Sequence, residues 1–233
     1  VVRMKKVLII GSGLSGLTCS IKLAELGIKS LIVSPYPSER AQSVMAAGGI
    51  NAAIGQDDNV SLHAEETYQC GCYIDDPVAI KELCENAPTI VEWLASLGTV
   101  FTKDKNDEIS LRAFGGQSKK RTVFAGAATG KQIMTALINE ARKYENLGLI
   151  ERRMGRYFHS ALIDNEICYG AVLYNDVDRK MELEITDTVV IASGGQNALF
   201  GKTTGSLLCD GYVIGKLFTQ GATLKNLEFI QYH

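Results

Sequence analysis

One short stretch near the N-terminus limits what this chain can fold into more than any other. The apolar run at residues 7–10 is followed by Gly11-Ser12-Gly13-Leu14-Ser15-Gly16 and then by apolar residues at helical spacing as far as Leu26. Gly27 and a second apolar run at residues 30–33 come next. Short continuous apolar runs between turn signals are typical of strands buried on both faces. The stretch therefore predicts a strand–helix–strand unit with parallel strands, closed within about 30 residues.

The glycine spacing inside this unit, Gly11-x-Gly13-x-x-Gly16, is that of a dinucleotide-binding turn. The first glycine permits the tight turn, the second lets a pyrophosphate approach the backbone, and the third allows the helix to pack closely on the strand. An acidic residue usually ends the second strand and binds the ribose, but Ser34 occupies that place here. We therefore predict a phosphate contact at the glycines and a weaker ribose contact at Ser34.

Glycine clusters recur along the rest of the chain. The 23 glycines among 233 residues are about 10%, against about 7% in ordinary proteins. Beyond the first turn they concentrate in Ala47-Gly48-Gly49, Phe114-Gly115-Gly116 and Ser193-Gly194-Gly195. Each cluster by itself is compatible with a simple loop. Together with a nucleotide turn, they favour a backbone-lined groove longer than a nicotinamide nucleotide needs, and FAD fits that length better.

Composition and charge exclude several classes of protein. The net charge is −2 and the only dense basic run is Lys119-Lys120-Arg121, so nucleic acid is not expected as the main partner. No apolar stretch approaches 18 residues and no signal peptide is recognisable, which predicts a cytoplasmic protein with no membrane span. The six cysteines are expected to be reduced thiols, and Cys70-Gly71-Cys72 lacks the spacing of a metal knuckle, so no metal is predicted.

The remaining patterns complete a prediction of α/β class. We expect a Rossmann-like domain with a central parallel sheet and a small three-stranded β-meander over residues 156–184. The apolar run within residues 188–192 predicts another buried strand. Helices are predicted from Asp76-Pro77 through residue 83, again from Pro88 to Gly98, from Thr129-Gly130 to about residue 144, and from about residue 210 to residue 220.

Taken in order, these motifs resemble the FAD-contacting segments of fumarate reductase and succinate dehydrogenase flavoprotein subunits. The resemblance spans all 233 residues, and the linked set is far more specific than any one motif. L-aspartate oxidases share the scaffold and are the close alternative, although Phe114-Gly115-Gly116 and Phe124 are more like fumarate reductases. The matching segments are residues 11–16, 40–53, 114–116, 121–125 with Thr129-Gly130, 192–195, Asp210-Gly211 and 228–233.

This resemblance implies where FAD would be held. The pyrophosphate would lie at Gly11, Ser12, Gly13, Leu14, Ser15 and Gly16, and the adenosine ribose at Ser34 and Pro35. The flavin side would be wrapped by Arg40, Gln42, Ser43, Ala46, Ala47, Gly48 and Gly49. Tyr157, Phe158, Ala192, Ser193 and Gly194 would line the adenine end, and Asp210 would bond the polar chain of the cofactor. Membrane-bound members carry a histidine covalently linked to the flavin at the position of Gln42, and an amide cannot form that bond, so non-covalent FAD is predicted.

The resemblance also implies a reaction and its residues. His233 matches a histidine that contacts the substrate carboxylate, and Phe114 matches a residue packed against the dicarboxylate. In this family flavin N5 exchanges a hydride with a C4 dicarboxylate, fumarate being reduced to succinate, and an arginine in a segment beyond residue 233 supplies the proton. An iron–sulfur or haem electron-transfer partner is possible in such proteins. Ala127 departs from the pattern, because the family commonly has aspartate there.

The chain stops at His233 inside an expected motif. We therefore expect residues 1–233 to be the N-terminal part of the FAD-binding domain, without the substrate-capping domain, and to be inactive alone. Two further interpretations stay open beside an L-aspartate oxidase. One is a stand-alone FAD-binding module without catalysis, and the more distant one is a nicotinamide-dependent dehydrogenase.

Overall fold

The computed structural model of the chain describes residues 6–230, which divide into two compact units. The described parts of Val1–Met45 and Leu137–His233 form the first unit, and Ala46–Ala136 forms the second. The chain thus leaves the first unit after Met45 and returns to it within a helix.

A parallel four-stranded sheet forms the centre of the first unit. Its strands are β1 (Lys6–Ile10), β2 (Lys29–Ser34), β6 (Ile150–Met154) and β10 (Val189–Ile191), in the spatial order β10-β1-β2-β6. Ile9 pairs with Ile32 of β2 on one side and with Val190 of β10 on the other. Ile9 and Ile32 are completely buried, because a strand inside a parallel sheet is covered on both faces. The predicted central parallel sheet is confirmed. The prediction that its strand at residues 188–192 is buried is wrong, because Val189 and Val190 are half-buried and Ile191 is exposed.

Helix α1 (Leu14–Glu25) connects β1 to β2 and completes the predicted strand–helix–strand unit. Its inner face buries Leu17 and Ile21 completely. The helix ends at Glu25, and Gly27, two residues beyond it, has a φ of +72° and donates its N–H to the carbonyl of Ala24 at 2.9 Å. This is the left-handed C-terminal geometry that glycine adopts most easily.

The meander follows as three antiparallel strands, β7 (Arg156–Asp164), β8 (Ile167–Asn175) and β9 (Lys180–Ile185), as predicted. Asn165 and Glu166, between β7 and β8, both have positive φ, which suits the twist of a tight hairpin. One face of the meander joins the core of the parallel sheet through Phe158, Ala171 and Leu173. Helix α5 (Tyr212–Thr219), also predicted, packs Val213 and Leu217 against that cluster.

The second unit contains helices α2 (Val60–Cys70) and α3 (Pro77–Ser96) and the start of α4 (Thr129–Asn146). A small antiparallel sheet accompanies them, with β3 (Ile50–Asn51) and β4 (Leu111–Arg112) on either side of β5 (Thr122–Val123). Helix α2 was not expected from the sequence. Its signal is Asn59, whose side-chain carbonyl accepts the N–H of Leu62 at 2.9 Å and caps the first turn.

The prediction of two helices separated at Pro88 is wrong. Residues 77–96 form one continuous helix with Pro88 inside it. Proline removes one backbone donor and crowds the preceding turn, which normally ends or kinks a helix. Here Cys84, Val91 and Leu94 are buried along one face on both sides of Pro88, and that shared packing outweighs the local cost.

The helices of residues 6–230 include none that combines the length and the apolar character needed to cross a bilayer.

Candidate cofactor-binding site

A cavity of about 890 Å³ opens in the first unit where β1, β2 and β10 end. The carboxyl ends of parallel strands are where open α/β sheets bind their ligands. The predicted residues that line it are Gly11, Ser12, Gly13, Leu14, Ser15, Ser34, Pro35, Arg40, Gln42, Ser43, Tyr157, Phe158, Ala192, Ser193, Gly194 and Asp210. The structure therefore brings together around one cavity segments that lie up to about 200 residues apart in sequence (11 to 210).

The three glycines of the β1–α1 turn are needed for different reasons. Gly11 has a φ of +116°, and a Cβ placed on it would lie 2.1 Å from the carbonyl oxygen of Ala192. A Cβ on Gly16 would lie 2.0 Å from the carbonyl oxygen of Gly11. Gly13 differs, because its φ is −80° and the nearest atom to its Cβ would be 3.5 Å away. Packing within the protein therefore excludes side chains at Gly11 and Gly16 but leaves room for one at Gly13.

The N-terminus of α1 lies at the wall of this cavity. Gly13 caps the helix without a side chain, and the first turn carries no acidic residue. The first N–H groups of a helix have no partners within the helix and carry a partial positive charge. One of them, that of Leu14, donates to Ser43 Oγ at 3.2 Å. The remaining first-turn amides, next to a Gly13 that lines the cavity without a side chain, make this the natural place for an anion.

A pair of tyrosines lines the cavity beyond the end of β2. The rings of Tyr36 and Tyr157 meet edge to face with centroids 6.5 Å apart, and the Arg40 guanidinium lies 5.6 Å from the Tyr36 ring centroid. A hydrogen bond with Tyr36, together with burial, raises the pKa of Tyr157 to about 12. Ser34 Oγ accepts the N–H of Tyr36 at 3.4 Å, and Ser12 Oγ donates to the Tyr36 carbonyl at 3.3 Å.

Tyr36 was missed by sequence reasoning. Its signal was its place two residues after the end of the second strand, where the chain crosses the ligand-binding edge of the sheet. Phe158 was predicted to line the adenine end. Its side chain is 2% exposed and belongs to the core cluster, so only a small part of it borders the cavity.

Gln42 lies in a 3₁₀ turn, Gln42–Met45, at another part of the wall. Its side-chain carbonyl accepts the backbone N–H of Ser206, a contact that the sequence did not predict. Asp210 Oδ1 accepts the N–H of Tyr212 at 2.9 Å and so caps the start of α5. The Gln42 amide nitrogen and the second Asp210 oxygen are the atoms that these two contacts leave for other partners.

The predicted flavin-side segment from Ala46 to Gly49 belongs to the second unit, as does Phe114. A Cβ on Gly49 would lie 2.4 Å from the carbonyl oxygen of Val123, so the segment packs directly on β5. The Gly130 N–H, at the start of α4, donates to the carbonyl of Ala46 at 2.6 Å. A Cβ on Gly48 would lie 3.8 Å from Phe114 Cζ. The second unit therefore brings Phe114 beside the Gly48 backbone.

His233 lies outside the described residues, so its predicted contact with substrate stays a prediction. All six cysteines are free thiols, with Cys70 and Cys72 exposed and Cys84 and Cys209 buried. Within residues 6–230 no group of three or more potential metal ligands is clustered.

Comparison with known proteins identifies the kind of domain. Residues 6–233 match the FAD binding domain family. Over 97% of its length the chain is 36% identical to the succinate dehydrogenase flavoprotein subunit of Bacillus subtilis and 30% identical to the fumarate reductase flavoprotein subunit of Mycobacterium tuberculosis. It is also 30% identical, over the same share, to the L-aspartate oxidase of Yersinia pestis. The chain spans 39%, 39% and 44% of these three relatives.

Among solved structures, the Sdh1 complex of Mycobacterium smegmatis in its apo form contains a chain that superposes on this one with a TM-score of 0.91. The match covers 98% of this chain and 41% of that one at 27% identity. The expected resemblance to these flavoprotein subunits is thus confirmed in both sequence and fold.

Proposed function

The chain belongs to the FAD binding domain family, and we propose that the cavity of its first unit holds FAD with the pyrophosphate against the β1–α1 turn. The observation that carries this proposal is the difference among the three glycines. Gly13 is the one whose missing side chain is not explained by protein packing, and a phosphate on the α1 amides needs that space. The cavity continues from this turn to both the Ser34 and the Gln42 sides, as an extended dinucleotide requires.

The adenosine half of FAD fits the end of the cavity near Tyr157. Ser34 already accepts one hydrogen bond from Tyr36, so its hydroxyl proton is the group it would offer to a ribose oxygen. Ala192, Ser193 and Gly194 would support the adenine through backbone. Asp210 would accept a hydroxyl of the polar chain through the oxygen that does not cap α5.

We further propose that FAD is bound non-covalently, because Gln42 stands where membrane-bound members of the family carry the flavin-linking histidine. The Gln42 side chain is instead held through its carbonyl by Ser206. Acid precipitation of the flavin-loaded protein tests this directly. The yellow chromophore should stay in the supernatant, and colour retained in the washed protein pellet would contradict non-covalent binding. Gln42→His provides the comparison, since it restores a side chain able to form the bond.

The reaction that these residues support best is the reduction of fumarate to succinate by a FAD-dependent oxidoreductase. When bound, FAD would supply the hydride chemistry. The chain itself would orient the substrate, with Phe114 packing against the dicarboxylate beside Gly48 and His233 binding a carboxylate. Because the chain spans well under half of its relatives' length, a protein-derived proton donor and the remaining carboxylate ligands are proposed to lie outside it.

An absorption spectrum followed by anaerobic half-reactions separates the candidate functions. The complete natural polypeptide should show flavin bands, and after chemical reduction its flavin should be reoxidised by fumarate. Bleaching of the oxidised flavin by L-aspartate would instead favour the L-aspartate oxidase alternative. The 30% identity to such an enzyme is the reason for testing it. Flavin bands without either response would favour a stand-alone binding module. A colourless protein that binds NADH but not FAD would overturn the proposal.

The electron donor is proposed by class only. A carrier with iron–sulfur or haem chemistry would deliver electrons to the flavin, and no nucleic acid is involved. Reduction of the bound flavin by a candidate carrier, followed anaerobically at the flavin absorption band, tests each class in turn.

A further inference from the structure

One face of helix α2 is polar where a helix packed on a core is usually apolar. His63, Glu66, Thr67 and Cys70 follow the spacing i, i+3, i+4, i+7, which places them on a single stripe. His63 is buried, Thr67 donates back to the His63 carbonyl at 2.8 Å, and the other two residues reach a neighbouring loop. Polar side chains on a packed face need partners, and these partners show what the stripe does.

Glu66 and Cys70 find their partners in backbone groups of the loop at residues 113–118. The Ser118 N–H donates to Glu66 Oε1 at 3.1 Å. The Cys70 thiol donates to the Gly116 carbonyl at 3.4 Å, and a Cβ on Gly116 would lie 2.5 Å from Cys70 Sγ. Helix α2 therefore contacts this loop at two points, two residues apart, and Gly116, at one of them, has a φ of +79° that favours glycine.

Glu66 also connects the loop to a buried ionic cluster. Arg121 is completely buried and makes paired hydrogen bonds to Asp58, from Nε at 2.8 Å and from Nη2 at 2.9 Å. Its third nitrogen, Nη1, lies 2.7 Å from Glu66 Oε2. Asp58 therefore neutralises Arg121, while Glu66 uses one oxygen for Arg121 and the other for the loop. If the Glu66 carboxylate moved away from Ser118, it would also move from Arg121 and leave that buried charge less well paired.

The held loop carries Phe114, two residues before Gly116. Phe114 Cζ lies 3.8 Å from the Cβ position of Gly48, and a Cβ placed on Gly115, between Phe114 and Gly116 in the sequence, would find no atom within 4 Å. Gly115 therefore gives the loop no packing support of its own. The attachments at Gly116 and Ser118 restrict the loop from the α2 side, and they limit how far Phe114 can move over Gly48.

We propose that Glu66, which is paired with the buried Arg121, is a positioning residue. By accepting the Ser118 N–H it holds the loop and sets the position of Phe114 beside Gly48. The consequence for substrate rests on the proposed function, in which Phe114 packs against the dicarboxylate. Glu66 itself touches neither cofactor nor substrate. Loss of its hydrogen-bond acceptor should weaken substrate binding, while the flavin and its chemistry stay intact.

Three variants of the complete natural polypeptide test this. Glu66→Ala removes the acceptor for Ser118, whereas Glu66→Gln retains an acceptor oxygen without the charge. Glu65→Ala, on the exposed face of the same helix, is the matched control. Flavin content, the KM and kcat for fumarate, and hydrogen exchange of the Ser118 amide are measured for each.

Glu66→Ala should speed exchange at Ser118 and raise the KM by about tenfold, with kcat and flavin content within about twofold of the parent, because it removes binding and leaves the chemical step alone. Glu66→Gln should restore the KM to within about threefold, and Glu65→Ala should change neither quantity. An unchanged KM in Glu66→Ala would overturn the proposal. So would a fall in kcat and flavin content that Gln does not rescue, which would show a purely structural role.

The exchange measurement separates this inference from the proposed function. If the unmodified protein binds flavin but reduces no dicarboxylate, the proposed function fails. In that case the hydrogen exchange of the Ser118 amide still tests whether Glu66 holds the loop. Faster exchange in Glu66→Ala with rescue by Gln upholds the attachment, and unchanged exchange overturns it.

Discussion

The β1–α1 turn of the first unit and the Gly48–Gly49 segment of the second are both glycine-rich, but they are organised by different forces. In the turn, backbone contacts exclude side chains at Gly11 and Gly16, whereas a Cβ on Gly13, beside the helix amides, would make only ordinary contacts. In the second unit, a Cβ on Gly49 would lie 2.4 Å from the carbonyl oxygen of Val123, and a Cβ on Gly48 would lie 3.8 Å from Phe114 Cζ. The turn borders the cavity of the first unit, whereas Gly48 and Gly49 lie next to residues of their own unit.

The charges of the two regions differ in the same way. The first turn of α1 contains no acidic residue, so its amides keep their positive potential for an external anion. The second unit buries a complete arginine side chain and surrounds it with two carboxylates of its own. A positive potential that the protein does not neutralise indicates a binding site for an anion. A buried arginine neutralised by carboxylates of the same unit indicates a structural role instead. If this distinction is real, substitutions in the two regions should differ in their effects on stability and on binding.

The largest expected effect is that of Gly11→Ala. The new methyl group would lie 2.1 Å from the Ala192 carbonyl oxygen at a φ of +116°, so β1 and β10 could not keep their spacing. We expect a loss of about 4 kcal/mol or more in the free energy of unfolding, measured by urea denaturation. Gly27→Ala is the control, because Gly27 also has positive φ but open space around it, and it should cost only about 1 kcal/mol. Equal losses for the two variants would contradict the packing argument.

Asp58→Ala should have the next largest effect, in the second unit. It leaves the buried Arg121 with Glu66 alone, and breaking a buried ion pair costs about 3 kcal/mol. Thermal unfolding followed by circular dichroism measures the change. Asp57→Ala, one residue away, removes an exposed pair with Lys119 and should leave the Tm unchanged. A Tm of Asp58→Ala close to that of the parent would show that the ionic cluster around Arg121 does not stabilise the second unit.

Gly13→Ala should separate binding from stability. Its φ of −80° suits alanine and its Cβ would make ordinary contacts, so the unfolding free energy without flavin should stay within about 0.5 kcal/mol of the parent. The methyl group would occupy the space proposed for the pyrophosphate. We expect FAD affinity to fall about 100-fold, or about 2.7 kcal/mol, by fluorescence titration. Unchanged affinity would remove the observation on which the proposed function depends.

The smallest expected effect is a pH dependence from His63. Burial and then the nearby Arg121 charge lower its pKa below the ordinary 6.5, against the opposing influence of Asp58 and Glu66. The folded state therefore binds fewer protons than the unfolded state just below pH 6.5, and stability should decline as the pH falls through that window. Glu66, whose pKa is also lowered, titrates further down.

Thermal unfolding between pH 7.5 and about pH 5.5 would show this decline. His63→Gln should flatten the slope, whatever it does to the absolute Tm, and His159→Gln should not, since His159 is exposed. An identical slope in His63→Gln and the parent would assign the pH dependence to other groups.

The first unit was largely predictable from the sequence because its signals are local. A buried strand, a glycine turn and an amphipathic helix follow one another within residues 6–34, and every one of these elements was found. The meander was equally readable from strand alternation with turns at residues 164–166 and 176–179. The sequence analysis missed strand β6 in this unit, because its residues Ile-Glu-Arg-Arg-Met form no apolar run. It also missed Tyr36, since an aromatic ring after a strand carries no pattern of its own.

The second unit was read less well because its structure depends on contacts between distant residues. Helix α2 escaped prediction since its inner stripe is polar, so it lacks the apolar period by which helices are recognised. Pro88 was expected to divide a helix, and side-chain burial on both sides of it overrode that local rule. Arg121 belongs to the only dense basic run of the sequence, with Lys119 and Lys120, yet it is completely buried.

The sequence alone determined the α/β class, the nucleotide turn and the order of the FAD-contacting motifs, because glycine spacing and hydrophobic period are written within short windows. Only the tertiary structure decided which glycines serve packing and which serves a ligand, since that depends on what stands opposite each Cα. It also decided that Glu66 and Arg121 face inward. A charged side chain is expected at the surface, and only partners brought together from residues 58, 66, 118 and 121 make its burial stable.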